Sequence, residues 1–244
     1  MINSINFVSY LVIVVANILG GLSLLLFGLF LYGYSFTVIE LGWERAGLVT
    51  WDALLCLLFF VQHSAMVRKN FRKRLSLVLP VHFHGALYTV ASGVVLIVLV
   101  LFWQNSEPPL VSLQGISRWF AYGAFFTSLM GMIWGMYALH SFDVFGNQEI
   151  LANIRAAHVR TMRLAIRGPY RWVRHPLYFF TLVMIWSCPD ITMDRLLFNT
   201  LFTIWIVIGT LLEERDLVAE FNETYQDYQR RVPMLIPWKL HKPY

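Results

Sequence analysis

Apolar residues fill four long stretches of the chain: about Val8 to Tyr32, about Trp51 to Val61 with an extension from Gln62 to Met66, about Leu87 to Trp103, and about Trp119 to Leu139. A helix needs about 20 residues to cross the hydrocarbon core of a bilayer, so each stretch predicts a transmembrane helix. Trp51, Trp103 and Trp119 stand at their ends, where amphipathic rings sit at headgroup depth. The first stretch is too long for a signal-peptide core and lacks both a basic flank and a small-residue cleavage site, so it is expected to stay in the mature protein. A fifth stretch, about Leu177 to Leu212, is interrupted by Ser187-Cys188-Pro189-Asp190 and then by Asp194 and Arg195. Two helices joined by a tight turn fit it better than one. The first arm, ending near Trp186, is too short to span comfortably, so the pair is expected to wedge against the other helices, where its irregular backbone is covered. The predicted fold class is all-α integral membrane: four transmembrane helices plus a C-terminal transmembrane helical hairpin. The chain reads as a single membrane domain over 1–244, with N-terminal helices over 1–139 and a functional half over 140–244.

Composition removes other classes. With 58% hydrophobic and 14% charged residues, the chain is neither a soluble globular domain nor a disordered one. Cys56 and Cys188 both lie in apolar runs and read as small buried hydrophobes. The charges are unevenly placed, none occurring before Glu40. Arg68, Lys69, Arg72, Lys73 and Arg74 share one loop; Arg155, Arg160, Arg163, Arg167, Arg171 and Arg174 share another; Arg215, Arg230, Arg231, Lys239 and Lys242 lie in the tail. These 16 of the 19 basic residues fall on one side of the predicted topology, which makes that side cytoplasmic and places both termini there. Topology thus accounts for the net charge of +5, and no nucleic-acid partner is implied.

The polar residues that could carry chemistry concentrate in the second half. Arg167-Gly168-Pro169-Tyr170-Arg171-Trp172-Val173-Arg174-His175-Pro176-Leu177-Tyr178 joins a Gly-Pro turn to a second proline suited to the first position of a helix. That helix start favours anions close to His175. The plainer reading is a basic and aromatic belt against lipid headgroups. Glu213 and Glu214 follow Leu212 where the last span leaves the bilayer; on a helix they point about 100° apart, so at most one faces the interior. Their plain reading is a solvated helix end pairing with Arg215. Because a hairpin brings its two ends together, His175 and Tyr178 are expected near Glu213 and Glu214. Such a pocket offers a carboxylate for ribose or amino groups, aromatics for adenine or a cation, and Arg or His for a carboxylate. Its ligand is not fixed by these features alone.

Gly168-Pro169-Tyr170, Val173-Arg174-His175-Pro176-Leu177-Tyr178, Glu213-Glu214-Arg215-Asp216-Leu217, Tyr225-x-x-Tyr228 and Val232-Pro233-Met234-Leu235-Ile236-Pro237 together resemble the C-terminal signature of the isoprenylcysteine carboxyl methyltransferase superfamily of integral-membrane methyltransferases. The narrower similarity is to bacterial methanethiol S-methyltransferases, carried by Val61-Gln62-His63-Ser64-Ala65-Met66-Val67-Arg68, Phe142-Asp143-Val144-Phe145-Gly146, Cys188-Pro189-Asp190-Ile191-Thr192 and the Pro-Met-Leu-Ile-Pro tail. Three positions depart from the pattern. Phe179-Phe180-Thr181 lacks the usual glycine, Asn222 stands where a glycine commonly precedes the first tail tyrosine, and His82-Phe83-His84-Gly85 replaces a Glu-Arg-Ser-like stretch.

The resemblance implies a bacterial inner-membrane enzyme with a cytoplasmic cofactor pocket for S-adenosyl-L-methionine, held by Gly168, Tyr170, His175, Pro176, Tyr178, Glu213, Glu214 and Tyr225. The implied acceptor is a small apolar thiol, methanethiol giving dimethyl sulfide, with membrane lipids around it; the alternative is a prenylcysteine carboxylate or other lipid-like acceptor. A free thiol near pKa 8.5 is only a few per cent ionised at neutral pH, so a proton acceptor is expected. His175 or Asp143 fits that role with Arg174 supporting the anion; His63 and His140 are second choices for it and are expected to contact the substrate. A haem or metal protein using His63, His82, His84, His140 and His175 is the rival from another class, although no cysteine or acidic third ligand lies near the His-x-His at 82 to 84, and no metal is expected. A non-enzymatic membrane protein that keeps the fold is the other, since fold does not fix function.

Overall fold

The computed structural model describes residues 4–139, 143–157 and 164–238. It is helical apart from one two-residue strand pair. The helices are α1 (Ser4–Tyr32), α2 (Arg45–Val67), α3 (Lys69–Leu75), α4 (His84–Phe102), α5 (Gly115–Leu139), α6 (Gln148–Ile154), α7 (Pro176–Trp186) and α8 (Met193–Arg231). Four segments are long and apolar enough to cross a membrane: Asn6–Tyr32, Arg45–Val67, Val81–Phe102 and Met193–Arg231. The chain is therefore a multi-pass membrane protein. Three of them are spans expected from the sequence, and the fourth contains the second arm of the expected hairpin. The 119–139 stretch is helical, as α5, but Gly, Ser, Thr, Trp and Tyr interrupt its apolar run, while α8, expected as the second arm of the hairpin, contains a continuous apolar segment.

The chain divides into two compact units. The first holds α1 through Phe30, then α2, α3, α4 and α6. Its main pairing is α2 with α4. Trp103 is almost wholly buried, its ring edge-on to Phe30 at 5.6 Å, and the buried Asp52 carboxylate accepts from Gln104 N at 2.9 Å, closing the α4 end. At the other end of α4, His82 lies in a 3-10 turn, Val81–Phe83, and His84 begins the helix. Ile150 of α6 packs on Ala16 and Ala86. That contact depends on Gly146, which has φ +70° and lies so close to Gly85 that an added Cβ would sit 2.1 Å from the Gly85 carbonyl carbon. Gly146→Ala combines positive-φ strain with a backbone clash and is expected to destabilise the protein by about 3 kcal/mol or more, read from thermal unfolding in detergent.

The second unit comprises the last two residues of α1 with α5, α7 and α8. Pro176 occupies the first turn of α7, where its missing N–H costs nothing. Helix α7 is short, as expected, yet it packs chiefly on α5 rather than on α8. The absence of side chains at Gly131 and Gly135 permits this, for Phe180 and Leu177 fill the space a Cβ would take. Between α7 and α8, β2 (Asp190–Ile191) pairs antiparallel with β1 (Val111–Ser112), and Arg118 forms an ion pair with Asp190. Asp194 accepts from the Ser106 backbone N–H at 3.0 Å, and Thr192 caps α8.

Helix α8 does not end near Leu212. It runs to Arg231 with one break at Asn222, φ 46° and ψ −127°. This is backbone space that glycine enters most readily and Asn better than most other residues, which accounts for the residue type at the position where a glycine was expected.

Candidate functional site

The segment before α7 is shaped by a 3-10 turn, Gly168–Arg171, entered through Gly168 at φ +56°. Arg167 Nε donates to the Ala138 carbonyl at 2.7 Å, and the Tyr170 carbonyl accepts from the Tyr228 hydroxyl at 2.5 Å. The chain then meets the tail. Backbone N–H groups of Arg174 and His175 donate to the carbonyls of Pro233 and Met234 at 2.9 and 3.1 Å. His175 precedes α7 without capping it, so its ring is available to another partner.

That partner is Glu214. Its Oε1 accepts from Arg174 Nε at 2.9 Å, His175 Nε2 at 2.6 Å and the Tyr225 hydroxyl at 2.7 Å. Its Oε2 accepts from Arg174 Nη2 at 2.8 Å and Gln229 Nε2 at 2.6 Å. A carboxylate has about four lone-pair sites, so five donors leave it no capacity for a further ligand. Arg174 is equally engaged, since Nη1 donates to the carbonyls of Gln229 and Val232. The bidentate Arg–carboxylate geometry and its extra hydrogen bonds are what a buried ion pair requires to offset desolvation.

The cluster exists because α8 breaks. Tyr225 follows Glu214 by 11 residues, which along a straight helix is a rise of about 16 Å, beyond a tyrosine's reach. The turn at Asn222 folds the last two turns back, so that Tyr225, Tyr228 and Val232 bury against Leu217, Val218 and Phe221.

The two glutamates face differently, as their helical spacing requires. The Glu214 side chain is 9% exposed, whereas Glu213 is 45% exposed, with Oε2 3.7 Å from His175 Nδ1. Tyr178 stacks on His175 with ring centres 5.7 Å apart and planes 11° from parallel. Burial, and then the charge of Glu213, pushes the Tyr170 phenol above its ordinary value, so it stays a neutral hydrogen-bonding group. With the Glu214 carboxylate as acceptor, the His175 hydrogen lies on Nε2, and in the neutral ring Nδ1 carries the lone pair facing Glu213.

Sequence reasoning thus placed Arg174, His175, Tyr178, Glu213, Glu214 and Tyr225 in the region where the structure gathers them, with Gly168, Tyr170 and Pro176 shaping the backbone around them. It did not assign Gln229, Tyr228 or the carbonyls of Val232, Pro233 and Met234. The tail motif was visible, but backbone acceptors leave no trace in residue type. Asp143 belongs to the first unit, where its exposed Oδ2 accepts from the Gln148 backbone N–H at 2.6 Å and so serves the start of α6. His63, also in the first unit, lies 2.6 Å from the Tyr88 hydroxyl by Nε2. His140 lies outside the described residues. Among the described residues, no three His, Cys, Asp or Glu side chains converge as a metal site would need.

No family model and no solved structure matches the chain. Curated proteins do. The chain is 37% identical to the methanethiol S-methyltransferase of Pseudomonas deceptionensis, over 80% of this chain and 74% of that one. It is 37% identical to the methanethiol S-methyltransferase of a Pseudomonas species, over 80% and 75%. It is 34% identical to methanethiol S-methyltransferase 2 of Bradyrhizobium diazoefficiens, over 76% and 72%.

Proposed function

The chain belongs to the methanethiol S-methyltransferase family, and from that premise we propose that it transfers a methyl group from S-adenosyl-L-methionine to methanethiol, giving dimethyl sulfide. The observation that supports a donor site here is the division of labour between the two glutamates. Glu214, saturated by protein donors, builds the site; Glu213, half-exposed beside His175, is the carboxylate free to meet a ligand. The residues fit the donor: Glu213 for its ammonium or ribose hydroxyls, and the Tyr170 and Tyr178 rings for adenine or the sulfonium charge. Gly168 and Pro176 set the backbone that carries them. When bound, the donor supplies an electrophilic methyl carbon.

The protein's part is to position the thiol and take its proton. His175 Nδ1 accepts the proton from sulfur, and Glu214 holds the ring at Nε2. Arg174 fixes that carboxylate and adds positive charge nearby, which favours a thiolate. Asp143 and His63, which the sequence also offered for the thiol, belong to the first unit, and the proton is assigned to His175. The pocket lies at the cytoplasmic ends of a hairpin formed by α7 and the first part of α8, in a bacterial cell membrane with both termini inside. An apolar, volatile acceptor reaches such a site from lipid, and the charged donor reaches it from the cytosol.

Transfer of labelled methyl from the donor to methanethiol by detergent-purified protein tests the reading, with prenylcysteine and acceptor-free controls. Labelled dimethyl sulfide is the expected product; labelling of prenylcysteine alone would overturn the thiol assignment. Glu213→Gln is expected to weaken donor binding about tenfold or more, as measured by calorimetry, because a charge-assisted bond is lost. Its unfolding free energy should change by no more than about 0.5 kcal/mol, because the side chain is half-exposed.

A further inference from the structure

We infer that the segment joining α2 to α4 is an interfacial wedge that docks on an anionic lipid surface. Arg68, Lys69, Arg72, Lys73 and Arg74 fall within seven residues, and no Asp or Glu occurs between Asp52 and Glu107 to compensate them. All five are exposed. Arg68, at φ −67° and ψ 137°, both ends α2 and starts α3, so the basic helix departs from the spanning one.

The segment also presents apolar surface where a loop has no reason to. After α3 the backbone tightens through Leu77 N to Arg74 O at 3.2 Å, Val78 N to Leu75 O at 3.1 Å and Leu79 N to Leu75 O at 2.9 Å. His84 Nε2 donates to the Leu79 carbonyl at 3.0 Å, tying the return into α4. The tip of this hydrogen-bonded turn carries Leu77 and Val78, 83% and 82% exposed. Exposed aliphatic residues on a spanning helix face acyl chains, but these two stand between spans, directly after a run of cations. The surroundings that satisfy both are the headgroup boundary of a bilayer: cations at phosphate level, Leu77 and Val78 beneath it. Each basic group near an anionic surface adds roughly fivefold to affinity, so the occupant is an acidic lipid surface rather than a neutral one.

The full-length protein with Leu77→Cys, labelled with a fluorophore, tests this in vesicles whose acyl chains carry bromine as quencher. Cys56 and Cys188 are buried, and unsubstituted protein carried through the labelling reports any reaction at them. Phosphatidylcholine vesicles are compared with vesicles that also contain phosphatidylglycerol. Quenching is expected to rise about twofold or more with the anionic lipid. The increment should vanish at about 1 M salt, where the Debye length is about 3 Å. It should vanish too when Arg72, Lys73 and Arg74, all exposed, are changed together to Glu. Equal quenching in both vesicle types overturns the proposal in favour of simple apolar contact. Absence of quenching in both overturns it in favour of a turn that lies in water or meets an acidic protein.

Discussion

Glu214→Ala is expected to lower the unfolding free energy by about 3–5 kcal/mol and to abolish measurable donor binding. Removing one member of a buried ion pair costs this much because the partner is left charged and unpaired. Here the stranded partner is Arg174, whose Nε and Nη2 both address Glu214, and His175, Tyr225 and Gln229 each lose an acceptor as well. Because those donors come from the segment before α7 and from the folded-back end of α8, the loss detaches two pieces of chain at once. Thermal unfolding in detergent gives the first quantity and calorimetric titration with the donor gives the second. A variant that unfolds like the parent would show that the cluster does not hold the two segments together. The contrast with Glu213→Gln is informative, since two adjacent carboxylates are expected to fail in different assays.

The second large effect concerns His175. Substitution by Ala is expected to reduce turnover at saturating donor and thiol by about 10²–10⁴, the range general-base catalysis contributes. Donor affinity should fall far less, since Glu213, Tyr170 and Tyr178 remain. Asp143→Asn keeps an oxygen that can accept from the Gln148 N–H, and is expected to retain most turnover. Steady-state kinetics with both substrates saturating separates the two candidates. Full turnover in the His175 variant, or its loss in the Asp143 variant alone, would reassign the proton acceptor.

Residue type carried much of this. Long apolar runs announced α1, α2 and α4, and Pro176 marked the start of α7. The nearness of His175 and Tyr178 to the glutamates followed from the expectation that a hairpin returns on itself, whereas the grip of Arg174 on Glu214 was not foreseen. Three features were hidden for physical reasons. Helix α5 looks like a span by length, but frequent small and amphipathic residues separate length from hydropathy there. The continuation of α8 past Glu214 was obscured because charged residues outside a bilayer are as compatible with helix as with loop. The break at Asn222 depends on a backbone angle that one asparagine among polar neighbours does not advertise. Half of what grips Arg174 is main-chain oxygen, and every residue except through its conformation offers the same atom.

The fold-back at Asn222 also bears on biogenesis. Arg174 and the Val232 carbonyl it holds are 58 residues apart, and the Tyr225 and Gln229 contacts lie beyond the last apolar stretch. During synthesis the apolar part of α8 and the three candidate spans before it are therefore made before the Glu214 cluster can close. A chain released early, with α8 inserted but the segment from Asn222 onward missing, would keep its spans and leave Glu214 without Tyr225 and Gln229. Closing this cluster is thus a step of folding that follows the making of the apolar part of α8.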